Sequence, residues 1–530
     1  MSGNVCLILH AHVPCLRAGD AKSPGGRWLY NAIADSYLPL LRLLSDHAGQ
    51  RTSLLTLAVS VTLAEALDHV WFRDGFEAWL GAQIDRAEAR ADELDGGPLH
   101  PTAAFYVRRL HALRHDFVEL WKRDLVGALS GFAEAGLIEL VPSVSSQPIL
   151  PLLATDEMRR AHIATTLGYF AQRFGRTPAG IWLPSCALDA DVDRCLAELG
   201  VAWAVADAPG NADAQWMPTT SDSGVVWFPR DASATSLLGP DDDLFAYRDI
   251  ALDAHLADPD RLLRVVPDEQ PALLRTQGPF AASPAVYQPG EALAQSHTHA
   301  EAFLGRCTAE LAGRVTDTGP DAVAVCAYPA ELFGRVWFEG PAFLAAVIDG
   351  LDDSANRTPT GRPLARTPSS LLDAWSGARS GTPTASSWGD GGYFRAWTRP
   401  SSRWLHGATR RLERRLVDLA ARDAMEGNRR GRQDRRGPGG AGGAGAETSA
   451  KHRATTEALR HLMLAQSSDW HWLIRTGRHV EYALECAERH IGISTQIVEQ
   501  LEQGITPAVK VDIDVDVQLG RPQLQLLAPR

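Results

Sequence analysis

Short apolar runs rich in β-branched residues alternate with long helical stretches along most of this 530-residue chain. Each run is apolar on both faces, which is typical of a strand buried in a parallel sheet. The stretches between the runs, such as 103–133 and 157–174, place apolar residues at helical spacing. The order strand, helix, strand, helix predicts a parallel sheet, either open or closed into a barrel. The predicted strands are Val5–Leu9, Leu54–Val59, Leu137–Val141, Ile181–Leu183, Val201–Ala206 and Ala322–Ala327.

A polar residue or a turn follows almost every predicted strand. The carboxyl ends of parallel barrel strands meet at one edge, and active sites are built at that edge. We therefore expect the following residues to lie near one another: His10, His12, Ser60, Gln147, Ser185, Asp207 and the pair Tyr328-Pro329.

The charge balance limits the classes of partner. With 52 basic and 64 acidic residues the net charge is −12, which argues against nucleic acid or an anionic membrane as the main ligand. A neutral ligand is compatible with this balance. No apolar stretch approaches the length of a membrane span, and the first residues lack the pattern of a signal peptide. We expect a cytoplasmic protein.

The sequence predicts neither a metal nor another cofactor. Its 7 cysteines are scattered without zinc-site spacing and are expected to be small buried hydrophobic residues in a reducing compartment. Two histidine pairs, His10 with His12 and His297 with His299, have no nearby cysteine or carboxylate that completes a known ligand set.

Composition divides the chain into segments. We predict a barrel over 1–353, a connector rich in Thr, Pro and Ser over 354–385, a helical domain over 386–503 and a tail over 504–530. Helical patterns in the second domain cover 404–421, 454–463 and 480–503. Between the first two patterns, residues 426–449 are rich in Gly, Ala and Arg and are predicted to be a disordered insertion. A protein partner could bind through its arginines. The tail is either one edge strand or a free acidic segment.

Six motifs in collinear order resemble those of glycoside hydrolase family 57, of the α-1,4-glucan branching-enzyme type. They are His10–Pro14; Trp28–Ile33 with Tyr37–Leu41; Gly180–Ala187; Ala327–Gly334 with Trp337–Pro341; Ser386–Tyr393; and Ala465–Trp470. The resemblance implies an incomplete seven-stranded (β/α) barrel followed by an α-helical domain, with the active site in the cleft between them. It also implies retaining transfer or hydrolysis of an α-1,4-glucan or maltooligosaccharide, without a metal.

Both catalytic positions of the family are substituted. Retaining glycosyl transfer needs two carboxylates about 5 Å apart, a nucleophile and an acid/base. In the matching motifs the nucleophile position holds Ser185 and the acid/base position holds Pro329. A serine hydroxyl is a poor nucleophile without an adjacent base, and proline has no acidic group. We therefore expect no catalytic activity.

Other substrate positions also differ. Gln147 stands where the family has His, and Arg335-Val336 stands where it has His-Trp. In the eroded mid-chain segment, only residues 228–231, Gly239 and 247–249 still resemble the family. The substrate contacts that the resemblance implies are His10, His12, Gln147, Arg230, Gly239, Trp388, Trp404 and Asp469. For Trp182 and Trp404, a place in the domain-interface core is an equal alternative.

Carboxylates close in sequence to Ser185 and Pro329 are expected to have structural and not catalytic roles. Glu331 and Glu339 follow the substituted acid position, but the family has both in addition to its acid, so we expect structural hydrogen bonds from them. Asp189, Asp191 and Asp193 are expected at a helix N-terminus, where acidic residues favour the helix dipole.

Three hypotheses follow. The first is a non-catalytic relative that binds α-glucan or takes part in a glucan-metabolism complex. The second is an active α-glucan-modifying enzyme with a rewired site. The third is a structural or partner-binding protein.

Overall fold

The structure, a computed structural model, describes most of the chain and contains the predicted barrel. The described residues are 3–14, 24–207, 217–231, 274–275, 285–286, 288–318, 322–352, 361–374, 379–381, 384–388, 393–434, 443–507, 522 and 527. The barrel strands are β1 (Asn4–Ala11), β2 (Leu55–Ser60), β3 (Ile138–Ser143), β4 (Gly180–Ile181), β5 (Trp203–Ala206), β6 (Val226–Pro229) and β7 (Val323–Pro329).

The seven strands close into a ring of parallel neighbours. Ladders join β7 to β1, β1 to β2, β2 to β3, β4 to β5 and β5 to β6. Single parallel bridges, Ser143 to Trp182 and Arg230 to Val325, complete the two remaining junctions. Because two of the seven junctions are only bridges, the barrel is incomplete, and the predicted fold class is confirmed.

Helices cover the outside of the barrel and form the C-terminal region. They are α1 (Pro24–Ala32), α2 (Leu38–His47), α3 (Val61–Asp68), α4 (Val70–Glu93), α5 (His100–His115), α6 (Leu125–Glu134), α7 (Asp156–Phe174), α8 (Ala190–Glu198), α9 (Pro289–Thr318), α10 (Gly340–Gly350), α11 (Pro368–Ala374), α12 (Arg403–Asp434), α13 (Gly443–Ala465), α14 (Ser468–Thr476) and α15 (Val480–Glu502). Shorter turns are π-helical at Ile33–Tyr37 and Asp116–Leu120, and 3₁₀ at Leu150–Leu152, Pro184–Cys186 and Ala330–Leu332. Further short strands are Thr219–Thr220, Leu274–Arg275, Ala285–Val286, Leu364–Ala365 and Arg379–Ser380.

The interior of the barrel is a separate apolar cluster. Alternate residues of each strand, for example Ile8 on β1 and Val325 on β7, point inward and pack with Trp203 and Phe228. The opposite faces of the same strands pack against the surrounding helices in a larger cluster. Both faces are therefore buried, which is why the strands are continuous apolar runs in the sequence.

The structure departs from the sequence-based elements in two places. The stretch predicted as helical over 103–133 is interrupted, because Lys122 and Arg123 adopt positive φ values of 50° and 63°. Strand β6 was not predicted, since its four residues end in a proline and show no alternation.

The predicted insertion is partly helical. Helices α12 and α13 extend into it from both sides and cover 426–434 and 443–449. Arg, Ala, Glu and Gln favour helix strongly, which accounts for the extension. Residues 435–442 lie outside the described residues, and so does the predicted alternating segment of the tail, 509–517.

The predicted connector is attached to the barrel where the structure describes it. Leu364 and Ala365 pair with Asn4 and Val5 of β1, and Ser369 at the start of α11 donates a hydrogen bond to Glu139 of β3. The domain boundaries given above stay predictions.

A buried chain of hydrogen bonds joins the barrel to the helical region. Ser145 after β3 contacts His162 Nδ1 at 2.6 Å, and His162 Nε2 meets the Gln466 oxygen at 2.9 Å. The Gln466 amide donates to Glu413 of α12 at 3.0 Å, and Glu413 also accepts hydrogen bonds from the backbone N–H and the hydroxyl of Thr155. Burial raises the pKa of Glu413 despite these donors. Loss of any one donor should therefore destabilise the fold, because a buried acceptor would lose a partner.

In the part of the chain that the structure describes, no helix is both long and apolar enough to cross a membrane.

Replacing Gln466 should destabilise the fold. Gln466→Leu leaves buried atoms of His162 and Glu413 without a partner, so we expect the free energy of unfolding to fall by about 1–3 kcal/mol. Urea denaturation measures the change. Gln496→Leu, on the exposed side of α15, is the matched control and should change stability by less than about 0.5 kcal/mol. Equal effects of the two substitutions would contradict the role given to this network.

Candidate active site

A cavity of about 510 Å³ lies at the carboxyl ends of the barrel strands. Strand ends and their loops form one side, and α14 with Trp388, Ala396 and Trp397 forms the other. The lining residues are His10, His12, Gln147, Trp182, Pro184, Ser185, Pro329, Glu331, Trp388, Ala396, Trp397, Ser468, Asp469, Trp472 and Arg475. Seven of the ten predicted site residues line this cavity: Ser185 and Pro329 at the two predicted catalytic positions, and His10, His12, Gln147, Trp388 and Asp469 around them.

His12 connects three parts of the site. Its Nε2 lies 2.8 Å from Asp469 Oδ2 of α14, and its Nδ1 lies 2.9 Å from the Ser60 hydroxyl at the end of β2. A carboxylate only accepts, so Nε2 carries the proton and Nδ1 accepts from Ser60. The backbone N–H of His12 donates to Glu331 at 3.1 Å. His12 therefore fixes the barrel edge relative to α14.

His10 is a neutral hydrogen-bonding group in the cavity wall. Its ring stacks on Trp182 at 4.6 Å and meets the edge of Trp388 at 5.9 Å. Burial, with a smaller effect of His12, lowers the pKa of His10 to about 3. Nε2 is buried without a hydrogen-bond partner among the described residues. This nitrogen can bind a ligand hydroxyl without a change in charge.

Ser185 keeps an unusual backbone geometry. It lies at φ 53° and ψ 29° inside the 3₁₀ turn that follows β4, a left-handed conformation that disfavours most side chains. Its carbonyl accepts a hydrogen bond from Trp388 N–H at 2.7 Å. Gln147 also has a positive φ, 63°, and donates from its amide to Ser143 at 2.6 Å. Both residues line the cavity.

Pro329 ends β7 directly beside His10, its register partner on β1. Two positions later, Glu331 lines the cavity and accepts hydrogen bonds from the Tyr37 hydroxyl and the His12 N–H. Burial raises the pKa of Glu331. The expected structural hydrogen bonding of Glu331 agrees with this geometry.

The aromatic lining differs from the expectation in one residue. Trp388 and the 5%-exposed Trp397 line the cavity, whereas Trp404 is 40% exposed at the start of α12 and does not line it. Trp397 precedes the helix within the turn 393–397, which faces the strand ends. The predicted contact of Trp404 is therefore corrected to Trp397.

Arg230 acts behind the cavity surface. Its guanidinium lies 4.6 Å from the Trp388 ring centroid and 2.9 Å from Asp207. Arg230 is buried and does not line the cavity, so it orients Trp388 instead of meeting a ligand directly. The predicted site residue Gly239 lies outside the described residues.

Sequence reasoning missed two further residues of α14, Trp472 and Arg475. Both line the cavity with Asp469. The three residues are spaced three apart, which places them on one face of a helix. That spacing is visible in the sequence and would have identified them once Asp469 was chosen.

Among the described residues, no group of three or more His, Cys, Asp or Glu side chains is arranged to hold a metal.

Comparison with known proteins agrees with this architecture. Residues 6–239 match the family model Glycosyl hydrolase family 57, and residues 441–511 match the model 1,4-alpha-glucan branching enzyme, C-terminal. A 1,4-alpha-glucan branching enzyme of Thermococcus kodakarensis is 25% identical, with 98% of this chain and 76% of that protein covered. The chain is thus similar to glycoside hydrolase family 57 over residues 6–239 and to 1,4-alpha-glucan branching enzymes over most of its length.

Two solved structures have a similar fold. The branching enzyme of Pyrococcus horikoshii superposes with a TM-score of 0.79 at 22% identity, covering 96% of this chain and 93% of that one. An α-amylase of Thermotoga maritima gives 0.80 at 22% identity, with both chains fully covered at 100%. A fold shared by a branching enzyme and an amylase does not select one reaction.

The two matching family models cover different residues of the site. The first contains His10, His12, Gln147 and Ser185, and the second contains Asp469. Pro329 lies in neither, so the assignment of its position depends on the motif Ala327–Gly334.

Removing the His12 ring should weaken the attachment of α14 to the barrel. His12→Ala removes one hydrogen-bond partner each from Ser60 and Asp469 in a largely buried site, and we expect a loss of about 1–3 kcal/mol in the free energy of unfolding. Chemical denaturation measures it. His452→Ala, on an exposed position of α13, should change stability by less than about 0.5 kcal/mol. If the two variants lost the same stability, His12 would not be the connecting residue described here.

Proposed function

We propose that this protein binds an α-1,4-glucan chain in the cleft and neither branches nor hydrolyses it. The observation that carries the proposal is the combination of an intact binding wall with two substituted catalytic positions. Trp388, Trp397, His10 and Asp469 line the same cavity as Ser185 and Pro329. Supporting this, the named relative in Thermococcus kodakarensis is a 1,4-alpha-glucan branching enzyme.

The cavity wall suits a neutral sugar chain. Indole faces pack against the apolar faces of glucose units, and Trp388 is held in place by Arg230 at 4.6 Å. Asp469 uses Oδ2 for His12 and Ser467, each at 2.8 Å. Its other oxygen is available to accept from a sugar hydroxyl. The unpartnered Nε2 of His10 offers a second acceptor or donor.

The remaining carboxylates do not replace the missing pair. Asp469 and Glu331 are the carboxylates among the described lining residues. Glu331 already accepts two hydrogen bonds at Oε1, and burial raises its pKa. Its Oε1 is therefore engaged with Tyr37 and His12, and Oδ2 of Asp469 is engaged with His12. Ser185 has no activating base from His12, whose ring nitrogens already contact Ser60 and Asp469.

The purified protein should bind maltoheptaose without converting it. Calorimetric titration should show saturable binding, and Asp469→Ala should weaken it at least about tenfold because a charged acceptor is lost. Asp418→Ala, an exposed position of α12, is the matched control and should leave binding unchanged. Iodine staining and reducing-end assays on amylose over a day should show no change, with an active branching enzyme as positive control.

Two results would overturn this proposal. Turnover that persists through rigorous purification would support the rewired enzyme. Absence of any binding at millimolar maltoheptaose would support the structural or partner-binding hypothesis instead.

Restoring both carboxylates should recover trace activity. Ser185→Glu alone lacks an acid to protonate the leaving oxygen, and Pro329→Asp alone lacks a nucleophile, so each single variant should stay inactive. The double variant should show partial transfer or hydrolysis, because the two groups act as a unit. Gln147 and Arg335 still differ from the family, and a displacement of about 1 Å costs on the order of 100-fold.

The comparison uses the parent, both single variants and the double variant at matched thermal stability, on amylose and maltoheptaose. Activity of a single variant equal to that of the double would show that the two positions are not the catalytic pair. A folded double variant that binds glucan but stays fully inactive would show that the barrel edge has lost its catalytic geometry.

A further inference from the structure

We infer that a glucan chain leaves the cavity along one face of α14, where Trp472 stacks on a glucose ring beyond the central site. This inference rests on the proposed function and extends it, because it makes chain length a determinant of affinity. Asp469, Trp472 and Arg475 occupy positions i, i+3 and i+6 of the helix, and all three line the cavity. One helix face therefore continues the binding wall outward.

The two tryptophans of this helix have opposite environments. Trp470 is 0% exposed and anchors α14 to the core through a hydrogen bond from its indole N–H to Leu464 O at 2.9 Å. Trp472 is 46% exposed. A single exposed tryptophan is unremarkable on a surface, but this one borders a cavity that already contains Trp388 and Trp397. Its position, more than its exposure, indicates a ligand.

Arg475 orders the Trp472 ring. Its guanidinium carbon lies 4.8 Å from the ring centroid, at cation–π distance. With one face covered by the guanidinium, the exposed remainder of the indole is offered to solvent. A ring that is held before a ligand arrives loses less conformational entropy on binding. The guanidinium can also donate hydrogen bonds to sugar hydroxyls at the rim.

The size of the cavity predicts that affinity depends on the length of the glucan chain. A volume of about 510 Å³ suits a ligand of ordinary small-molecule size. Maltotriose fits this description, whereas maltoheptaose has more glucose units than the cavity encloses. The additional units extend past the exposed rim of the cavity, where the half-exposed Trp472 lies. Affinity should therefore rise with chain length until Trp472 is reached.

Calorimetric titration of maltotriose and maltoheptaose into the parent, Trp472→Ala, Trp472→Tyr and Trp404→Ala tests the inference. We expect the parent to bind maltoheptaose more tightly than maltotriose. Trp472→Ala should lose roughly threefold to tenfold in affinity for maltoheptaose, as expected for one aromatic contact, and less than about twofold for maltotriose. Trp472→Tyr should restore part of the loss, since a smaller aromatic ring remains.

Trp404→Ala is the matched control, because Trp404 is similarly exposed, at 40%, but lies outside the cavity. It should leave both affinities unchanged. If the parent binds both ligands equally, or if Trp472→Ala weakens both by the same factor, the extension along α14 is overturned while glucan binding stands. If the parent binds neither ligand, the proposed function fails and this inference fails with it.

Discussion

The hydrogen bond between His12 and Asp469 is the constraint on which the geometry of the cleft depends. It joins the end of β1 to the start of α14, residues that are 457 positions apart in the chain, at 2.8 Å. Both side chains are largely buried, with 15% and 16% exposed, where an unpaired carboxylate is costly. Ser60 completes the arrangement by fixing the tautomer of His12. The width of the cleft follows from this contact and from the deeper network through Gln466.

Specific backbone contacts fix the framework around Ser185 and Pro329, the two positions predicted to be catalytic. Ser185 keeps a left-handed backbone at φ 53°, a strained conformation that persists where neighbouring structure imposes it. Trp388 N–H holds its carbonyl, and Pro329 stays in register with His10. Under the proposed function, this framework surrounds two positions that hold no catalytic carboxylate.

Much of the fold could be predicted from sequence because buried parallel strands are continuous apolar runs. Six of the seven barrel strands were found this way, whereas β6 was missed because it is four residues long and ends in proline. Helix lengths were less predictable, as the positive φ values of Lys122 and Arg123 have no signal in an Ala- and Leu-rich stretch. The ends of α12 and α13 were also not predicted, because residues 426–434 and 443–449 mix strong helix formers with glycine, which disfavours helix.

The candidate site was predictable where a residue follows a strand or lies in a recognised motif. His10, His12 and Asp469 are of this kind, and the structure brings them to one cavity. Trp404 was a misplaced choice because nothing in the sequence states which of two nearby tryptophans faces the strand ends. Trp397 faces the strand ends because it lies in the turn before α12. Only the tertiary structure shows this position.

A crystal structure of the protein soaked with maltoheptaose tests the central claim most directly. The account predicts an intact, non-covalent chain in the cleft, with sugar rings against Trp388 and Trp397 and a hydroxyl bound to Asp469. An empty cleft at saturating ligand would contradict it, and so would a cleaved chain or a glycosyl group attached to any side chain.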